Sequence, residues 1–393
     1  MYRFQIPGVN LHFGQGAIDV LGFETKKLGH KCLLVTGRNS MRKLGVQDNA
    51  LDLLRHAGIE TVLFNGVEPN PTVQTVDQGA RLALDHRVQV IVGLGGGSVI
   101  DTAKGIAIIA ADPSASSIWD FSPTNKKPRT ITRALPIVAI TTTSGTGSHL
   151  TPYYVVSNTE TYEKPGSGHP SVFPKCSIVD LEIIAKMPPL LTAETGFDVL
   201  THALEGLVSS NSSPVSDVLA LKAIELVYKY LPVAHKKGND TEARQNMALA
   251  DCLAGEVLSS ADTVLGHAMS HAVSGRYHEI SHGASLAALT PSVLRFTIEN
   301  ADNIVWEKYC SALRCIGTNI TESTMANALR IVSKVEGLID QLGLKKNLKQ
   351  IGVHYTDLEA MTSLCMQMMA EDIARGPVVP TEEEMLSLFK DSY

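Results

Sequence analysis

VIVGLGGGSVIDTAKG, residues 90–105, joins a short apolar run to a helix-like stretch through a cluster of glycines. The run before the glycines is rich in β-branched residues, which favours a buried strand. Glycines let a backbone approach an anion closely, and the N–H groups at a helix N-terminus attract phosphate. Ser98 is the expected N-cap, and Asp101, three residues later, fits a capping box. The stretch therefore predicts a strand, a loop and a helix that can cradle a pyrophosphate.

A second loop of this kind, TTTSGTGS at 141–148, follows the apolar run LPIVAI. The first loop alone is weak evidence, because it matches neither GxGxxG nor the phosphate-binding pattern GxxxxGK followed by Ser or Thr. An ordinary glycine-rich turn therefore remains the alternative. The carboxyl ends of neighbouring parallel strands meet at one edge of a sheet, where ligands bind. The presence of two such loops at that edge favours a dinucleotide-binding site over a glycine-rich turn without a ligand.

Outward from these loops, strand-like runs alternate with stretches of helical length from about residue 30 to residue 185. The runs are KCLLVTG (31–37), TVLFNG (61–66), VQVIVGLGGG (88–97), LPIVAITTT (135–143) and CSIVD (176–180), and the helical stretches include 45–58, 72–86 and 98–111. Such alternation is typical of a parallel sheet that is covered by helices on both faces. This part of the chain is therefore expected to form a dinucleotide-binding α/β domain.

The alternation of strands and helices ends at Met187-Pro188-Pro189, because two prolines can terminate a strand or a helix. Residues 192–393 show helical periodicity with few strand-like runs. We predict a dinucleotide-binding α/β domain at 1–188 and an all-helical metal-binding and substrate domain at 189–393. The active site is expected in the cleft between them.

Composition narrows the classes of partner. The 393 residues carry a net charge of -6 without a run of Lys or Arg, which argues against nucleic acid or an anionic membrane as a partner. The chain has no apolar run long enough to span a bilayer. Its first residues lack the features of a signal peptide, so a cytoplasmic location is expected. The six cysteines form no CxxC pair and are expected to be reduced.

The loop after the first predicted strand bears on the choice of cofactor. Gly37 stands there, and Arg38, Arg42 and Lys43 follow without an acidic residue. A carboxylate at this place would bind a ribose 2′-hydroxyl and repel a 2′-phosphate. The cationic loop favours NADP, although the same side chains could simply be solvated surface charges.

Histidines crowd residues 266–283, GHAMSHAVSGRYHEISHG. His267 and His271 are four residues apart, as are Asp198 and His202 upstream, so the members of each pair share one face of a helix. Either pair could grip a metal ion. A single pair is more often a salt bridge or a buried structural histidine. The prediction of a metal site therefore depends on the presence of both pairs.

His278-Glu279-Ile280-Ser281-His282 also matches HExxH, the zinc-binding pattern of metalloproteases. That mechanism needs an uninterrupted helix and a third ligand downstream. Gly283 follows at once, and the glycine-rich loops would be left unexplained. The protease is therefore a minor alternative.

Four motifs occur in order as GGGSVIDTAKG (95–105), TTTSGTGS (141–148), GFDVLTHALEGLVSS (196–210) and HAMSHAVSGRYHEISHG (267–283). Together they resemble the signatures of the iron-containing (group III) alcohol dehydrogenase family. The segments IPGVNLHFGQGAI (6–18) and GVEPNPT (66–72) are also similar to that family. The resemblance thus extends from about residue 3 to the C-terminus.

The resemblance implies a metal held by Asp198, His202, His267 and His282. One carboxylate and three imidazoles suit Fe(II), with Zn(II) as the alternative. Relatives such as glycerol dehydrogenases lack a histidine at the position of His202, so its presence favours the alcohol dehydrogenase branch.

The resemblance also implies a set of cofactor contacts. They come from Gly37, Gly95, Gly96, Gly97, Ser98, Asp101, Thr142, Thr143, Thr146, Thr151 and Lys164. Members that use NAD often have aspartate where Gly37 stands, which agrees with NADP here and leaves NAD as the alternative. The chain departs from the family at His149, where glutamate is usual. His149 could be a silent replacement or a pH-sensitive group beside the nicotinamide.

The expected reaction is hydride transfer between NADP(H) and a short primary alcohol, its aldehyde or a small diol, with the metal acting as a Lewis acid. His271 is either a catalytic proton relay or a packing residue. We also expect a homodimer or a larger homo-oligomer. The alternatives are an NAD-dependent metal enzyme with net non-redox chemistry, as in dehydroquinate synthase, and a metal-binding protein without turnover.

Overall fold

A computed structural model describes residues 8–393 of the chain. Residues 1–7 lie outside the described range. They belong to the predicted first domain and to the N-terminal stretch that lacks the features of a signal peptide. The described chain forms two compact units, 8–187 and 188–393. All six cysteines are free.

The first unit is built on a sheet of six strands. The strands of this unit are β1 (Asn10–Gly14), β2 (Lys31–Gly37), β3 (Glu60–Val67), β4 (Val90–Gly95), β5 (Ile137–Thr141), β6 (Tyr153–Val155), β7 (Gly166–Gly168) and β8 (Cys176–Asp180). The main sheet has the order β1-β8-β5-β4-β2-β3 with every pair parallel, and β6 pairs with β7 in a separate antiparallel ribbon. The predicted parallel sheet is confirmed. β1 and the ribbon were missed, because their apolar runs are short.

Helices cover both faces of this sheet. The helices of the unit are α1 (Leu21–Leu28), α2 (Ser40–Lys43), α3 (Val46–His56), α4 (Val73–Asp85), α5 (Gly97–Ala111) and α6 (Leu181–Ile184), with short 3-10 turns at Ala17–Val20, Ile118–Phe121, Ser148–Leu150 and Pro170–Val172. Along β2, Leu33 packs in the core with α4 and α5, whereas Leu34 packs in the core with α1 and α3. Burial on both faces explains why the inner strands β2, β4, β5 and β8 have continuous apolar sequences.

The strand order changes direction at β2, which lies between β3 and β4. The helix after β2, α3, packs on one face, and the helix after β4, α5, packs on the other. The carboxyl ends of β2 and β4 are neighbours, since Thr36 pairs with Leu94. Open α/β sheets bind ligands at such a point.

The second unit is helical throughout, which confirms the predicted fold class. Its helices are α7 (Pro189–Val208), α8 (Pro214–Lys236), α9 (Thr241–Ala261), α10 (Leu265–Arg276), α11 (His282–Asn300), α12 (Asn303–Cys315), α13 (Met325–Ala328), α14 (Arg330–Leu342), α15 (Leu358–Met368), α16 (Ala370–Ala374) and α17 (Glu382–Asp391), with 3-10 turns at Lys349–Ile351 and Tyr355–Asp357. Two clusters of buried side chains form its core. Among the described residues, no helix is both long enough and apolar enough to cross a membrane.

Candidate active site

Asp198 and His202 lie one turn apart on α7 and are both buried. Their side chains project from the same face of the helix, as their spacing predicts. The Nδ1 atom of His202 lies 3.5 Å from the Oδ1 atom of Asp198. The aspartate therefore presents one carboxylate oxygen towards the imidazole.

Two further histidines approach the same oxygen from other helices. His267 is on α10, and its Nε2 atom lies 3.3 Å from Asp198 Oδ1. His282 is the first residue of α11, and its Nε2 atom lies 3.9 Å from that oxygen. Ser281 caps α11 by accepting a hydrogen bond from the amide of Ala284, which fixes where His282 begins the helix. Helices α7, α10 and α11 thus bring polar side chains together around Asp198 Oδ1.

The donor atoms fit a divalent cation. One ligand atom each from Asp198, His267 and His282 lies within 4.8 Å of the others. Ligand atoms in a tetrahedral site with bonds of about 2.1 Å are roughly 3.4 Å apart, which is close to the spacing found here. His202 lies against this group, because its ring stacks on that of His267 with centroids 4.4 Å apart. Carboxylate and imidazole donors suit Fe²⁺ or Zn²⁺.

Glu205, on the same face of α7 as Asp198 and His202, orients one of these histidines. Its carboxylate lies 2.9 Å from His267 Nδ1 and accepts hydrogen bonds from the backbone amides of Val264 (2.6 Å) and His267 (3.1 Å). With Nδ1 engaged, Nε2 is the atom that faces Asp198. The sequence analysis missed Glu205, although its place seven residues after Asp198 is a helical spacing that could have revealed it.

Ser270 performs the corresponding task for His282. Its hydroxyl lies 2.7 Å from His282 Nδ1 and 2.5 Å from the hydroxyl of Ser285. Both histidines therefore have Nδ1 engaged and turn Nε2 towards the carboxylate. Residues that hold metal-binding histidines in this way fix the orientation of the ring.

The charge of the cluster also fits a cation. Burial disfavours the charged form of His267, but the carboxylates of Glu205 and Asp198 outweigh this effect and raise the pKa of His267 to about 10. Both carboxylates are buried, and in the described part of the chain their ion-pair partners are histidines only. A bound divalent ion would compensate the same negative charge.

His271 lies beside this group on α10. It is buried, and its ring meets that of His282 edge-on with centroids 5.4 Å apart. It can contact a metal-binding histidine or pass a proton, and the choice between these roles stays a prediction.

His278 and Glu279 lie in the loop between α10, which ends at Arg276, and α11, which begins at His282. The HExxH pattern therefore lacks the continuous helix that presents both zinc ligands of a metalloprotease. The protease alternative is wrong for this reason.

In the first unit, the structure brings the two glycine loops together. Gly95 ends β4, and its carbonyl accepts a hydrogen bond from the amide of Thr142 (3.1 Å). A Cβ atom on Gly97 would lie 2.6 Å from the side chain of Thr146, and one on Gly96 would lie 3.0 Å from that of Thr143. The glycines therefore let the loops pack against each other at the edge of the sheet where ligands bind.

The capping box predicted for α5 is wrong. The helix begins at Gly97 with Gly96 as its N-cap, so Ser98 lies inside the first turn. The carboxylate of Asp101 instead accepts hydrogen bonds from Ser148 Oγ (2.6 Å) and from the amide of Val155 (3.1 Å). Asp101 thus fastens the helix to the second loop, a contact between distant residues that local spacing does not reveal.

Lys104, which the sequence did not single out, is fully buried and lies about one turn after Asp101 on α5. Its ammonium group donates to the carbonyls of Ser148 (2.7 Å) and Tyr153 (2.5 Å). Burial lowers the pKa of Lys104 to about 7, although the nearby Asp101 opposes the shift. A lysine within the apolar sequence of α5 is unusual, and it could have indicated a buried polar contact of this kind.

The remaining predicted cofactor residues lie in different surroundings. Gly37 ends β2, and Lys164 is buried with its Nζ atom 2.8 Å from the Oδ1 atom of Asn70, shortly after β3. Thr151 is buried with its hydroxyl 3.5 Å from Lys104 Nζ, so it belongs to the contacts that hold the second loop.

Glu68 follows β3 and lies next to the cationic loop after β2. One of its carboxylate oxygens lies 3.6 Å from the Nη2 atom of Arg38, and the other accepts hydrogen bonds from the hydroxyls of Thr72 (3.0 Å) and Thr75 (2.7 Å). The cationic loop after β2 therefore has an acidic neighbour, which weakens the charge argument for NADP.

His149 lies in the second loop and is 1% exposed. Burial, with a smaller contribution from Lys104, lowers the pKa of His149 to about 3. The imidazole is therefore neutral near pH 7, which favours the silent replacement over the pH-sensitive group.

Comparison with known proteins covers nearly the whole chain. The family profile described as iron-containing alcohol dehydrogenase matches residues 8–181, and the C-terminal profile of the Fe-containing alcohol dehydrogenase family matches residues 192–393. The chain belongs to the iron-containing alcohol dehydrogenase family. The resemblance found in the sequence is confirmed. Membership makes the chain an oxidoreductase of the alcohol dehydrogenase type and implies an iron and a nicotinamide cofactor.

Relatives within this family differ in cofactor. The NADPH-dependent butanol dehydrogenase of Clostridium saccharobutylicum is 32% identical, covering 100% of this chain and 98% of the relative. The NADH-dependent butanol dehydrogenase A of Clostridium acetobutylicum is 33% identical, covering 100% and 99%. An archaeal halo-thermophilic alcohol dehydrogenase from a Red Sea brine pool is 42% identical in sequence. Its crystal structure matches with a TM-score of 0.97, covering 100% of this chain and 99% of that chain.

Proposed function

We propose that the protein is a metal-dependent alcohol dehydrogenase that transfers hydride between NADP(H) and a short primary alcohol or its aldehyde. The observation that carries this proposal is the approach of His267 Nε2 and His282 Nε2 to one oxygen of Asp198, at 3.3 and 3.9 Å. The two butanol dehydrogenases among its relatives support a short primary alcohol as substrate. Small diols belong to the same class of substrate.

Each residue of the cluster has a proposed role. Asp198, His202, His267 and His282 hold a divalent iron, with zinc as the alternative. When bound there, the metal would supply Lewis acidity for the oxygen of a substrate. Glu205 keeps the ring of His267 in its binding orientation, and His271 moves a proton between substrate and solvent.

The cofactor is proposed to bind through the two glycine loops. The backbone of Gly95, Gly96 and Gly97 and the first turn of α5 would approach its pyrophosphate, because a helix N-terminus with free N–H groups stabilises an anion. The hydroxyls of Thr142, Thr143 and Thr146 lie on the neighbouring loop, and Lys164 would pair with phosphate or ribose. Asp101 and Thr151 contribute by holding that loop in place.

Reconstitution tests the function directly. Metal-free protein is loaded anaerobically with Fe(II) or Zn(II), and NADPH oxidation is followed with a panel of two-carbon to six-carbon aldehydes. We expect steady NADPH consumption that Asp198→Ala and His282→Ala abolish together with the metal bound at this cluster. His235→Ala, a histidine of α8 outside the cluster, is the matched control and should retain both.

Two outcomes would contradict the proposal. Full metal content and full activity in Asp198→Ala and His282→Ala would show that the ligand assignment is wrong. Metal-loaded protein that consumes no NADPH with any aldehyde would favour net non-redox chemistry or a protein without turnover.

NADP preference is tested at Gly37. A Cβ atom there would make only ordinary contacts, with the carbonyl of Val67 at 3.7 Å, so an aspartate can be accommodated. Gly37→Asp should shift the ratio of kcat/KM values towards NAD, because its charge repels a 2′-phosphate. Gly37→Asn, of the same size without the charge, should shift the ratio much less. An unchanged ratio in Gly37→Asp would refute the specificity argument.

A further inference from the structure

A second group of metal-binding side chains lies in the α/β unit. His12 is on β1, Cys176 begins β8, and Glu24 is on α1. β1 and β8 are parallel neighbours with Asn10 opposite Cys176, so His12, two residues further along, points to the same face of the sheet as Cys176. Cys176 belongs to the core cluster that includes Leu21 of α1. The fold therefore turns a thiol, an imidazole and a carboxylate towards one another.

The three side chains are close enough to share one ion. One ligand atom of each lies within 4.8 Å of the other two. His12 Nε2 lies 3.2 Å from Glu24 Oε1 and 3.2 Å from the Nδ2 atom of Asn10. The contact with Asn10 calls for a lone pair on Nε2, whereas the contact with Glu24 calls for a proton there, so the two partners compete for one atom. A cation bound between Nε2 and Glu24 would take the place of that proton and displace the amide of Asn10.

Burial and charge agree with a cation here. Glu24 and Cys176 are buried, while the side chain of His12 is 28% exposed, so an ion can reach the group from this side. Lys27 Nζ lies 2.8 Å from Glu24 Oε1 and supplies positive charge, but its side chain is 49% exposed and can turn away into solvent. A divalent ion would replace the ammonium group at Glu24, and the thiol proton would be released to solvent. The resulting group of ion, thiolate, carboxylate and neutral imidazole has no net charge.

We propose that His12, Glu24 and Cys176 form a second divalent-cation site that takes Zn²⁺ or another thiophilic ion. Thiolate, imidazole and carboxylate are the donors that zinc uses in proteins, and a thiolate selects against hard ions such as Mg²⁺. The site belongs to the α/β unit, whereas the cluster around Asp198 belongs to the helical unit. The two sites differ in chemistry, because the cluster around Asp198 contains no sulfur.

Cobalt substitution tests this difference. The full-length metal-free protein is loaded anaerobically with Co²⁺, passed through a desalting column, and examined for bound metal and for a thiolate-to-cobalt charge-transfer band in the near ultraviolet. The expected result is two Co²⁺ per chain and a clear band. Asp198→Ala should lose one Co²⁺ and keep the band, because it leaves the thiolate site intact.

Two variants test the ligands themselves. Cys176→Ser and the milder His12→Gln should each lose one Co²⁺ and the band, while retaining the circular dichroism spectrum and the kcat of the parent protein. Zn²⁺ added to the Co²⁺-loaded parent should displace Co²⁺ and so remove the charge-transfer band. The proposal is overturned by a parent protein without the band, or by a band that survives in either variant.

Discussion

At the scale of single residues, Glu205 performs two tasks in the metal cluster. Its carboxylate engages the ring of His267, and it accepts backbone hydrogen bonds from Val264 and His267 where α10 begins. A Cβ atom on Gly266 would lie 2.5 Å from that carboxylate, so glycine makes room for it. One side chain therefore sets both the orientation of a ligand and the start of its helix.

Replacing Glu205 with glutamine should weaken metal binding without preventing folding. The amide keeps the size of the side chain but loses the charge that stabilises the metal-bound imidazole, and such changes typically cost about 10–100-fold in metal affinity. Affinity is measured by competition with a chromophoric chelator, and the Co²⁺ d–d spectrum reports the ligand geometry. Glu256→Gln, on α9, is the control and should leave both unchanged. An unaltered affinity and spectrum in Glu205→Gln would contradict the positioning role.

His149 should contribute to the loss of stability in acid. Its pKa is about 3 in the folded chain and near 6.5 when unfolded, so between these values the unfolded chain binds more protons. The free energy of unfolding therefore falls as the pH drops below about 6.5, by up to about 1.4 kcal/mol per pH unit. In urea titrations of the metal-free protein, His149→Gln should show a shallower decline over this range. Parallel curves for parent and variant would contradict the prediction.

At the scale of elements, the distance between the first turn of α11 and α7 depends on a glycine. A Cβ atom on Gly283 would lie 2.3 Å from the backbone carbonyl oxygen of Glu194. A backbone carbonyl cannot turn away as a side chain can. Glycine is therefore what allows α11 to approach α7 closely enough for His282 to reach Asp198.

Gly283→Ala should push these two helices apart. Overpacking of this kind typically costs about 1–3 kcal/mol, and here it should also lower metal affinity because His282 precedes the substituted residue. Gly337→Ala is the matched control, since nothing lies within 4 Å of a Cβ atom there and alanine favours the interior of α14 by about 0.5–1 kcal/mol. Chemical denaturation and metal titration measure both effects. Gly283→Ala with the stability and affinity of the parent would refute the packing argument.

The elements themselves were largely predictable from the sequence. The β-branched runs at 31–37 and 88–97 contain β2 and β4, and the helical spacing placed Asp198 and His202 on one face of α7. The N-cap of α5 was not predictable in the same way. Ser98 and Asp101 fit a local capping rule, but Asp101 bonds to Ser148 and Val155, about fifty residues away in the chain.

At the scale of the whole molecule, each unit has its own core and its own candidate ligand site. The cluster around Asp198 lies in 188–393, and the glycine loops lie in 8–187. A ligand that binds only the folded state stabilises it by about 2.7 kcal/mol at a concentration of 100 Kd. Metal and cofactor should therefore protect different parts of the chain.

Metal removal should be visible in hydrogen exchange. In a Cys176→Ser background, which removes the second proposed site, chelation of the metal should speed exchange in α7, α10 and α11 and leave β4 and β5 unchanged. Adding NADP⁺ instead should slow exchange at 93–105 and 141–151. Asp198→Ala should show no response to metal. Protection by metal that appears in the sheet rather than in α7 would contradict the assignment of the ligands.

The sequence by itself determined the parallel sheet, the helical second half and the family, because strand and helix periodicity and contiguous motifs are local properties of the chain. Only the tertiary structure decided which side chains support the sites. Glu205 reaches His267 across 62 residues, Lys104 reaches Ser148 across 44, and Glu24 meets His12 through the packing of α1 on the sheet. Such contacts depend on how elements pack, and buried charges are stable only where packing supplies their partners.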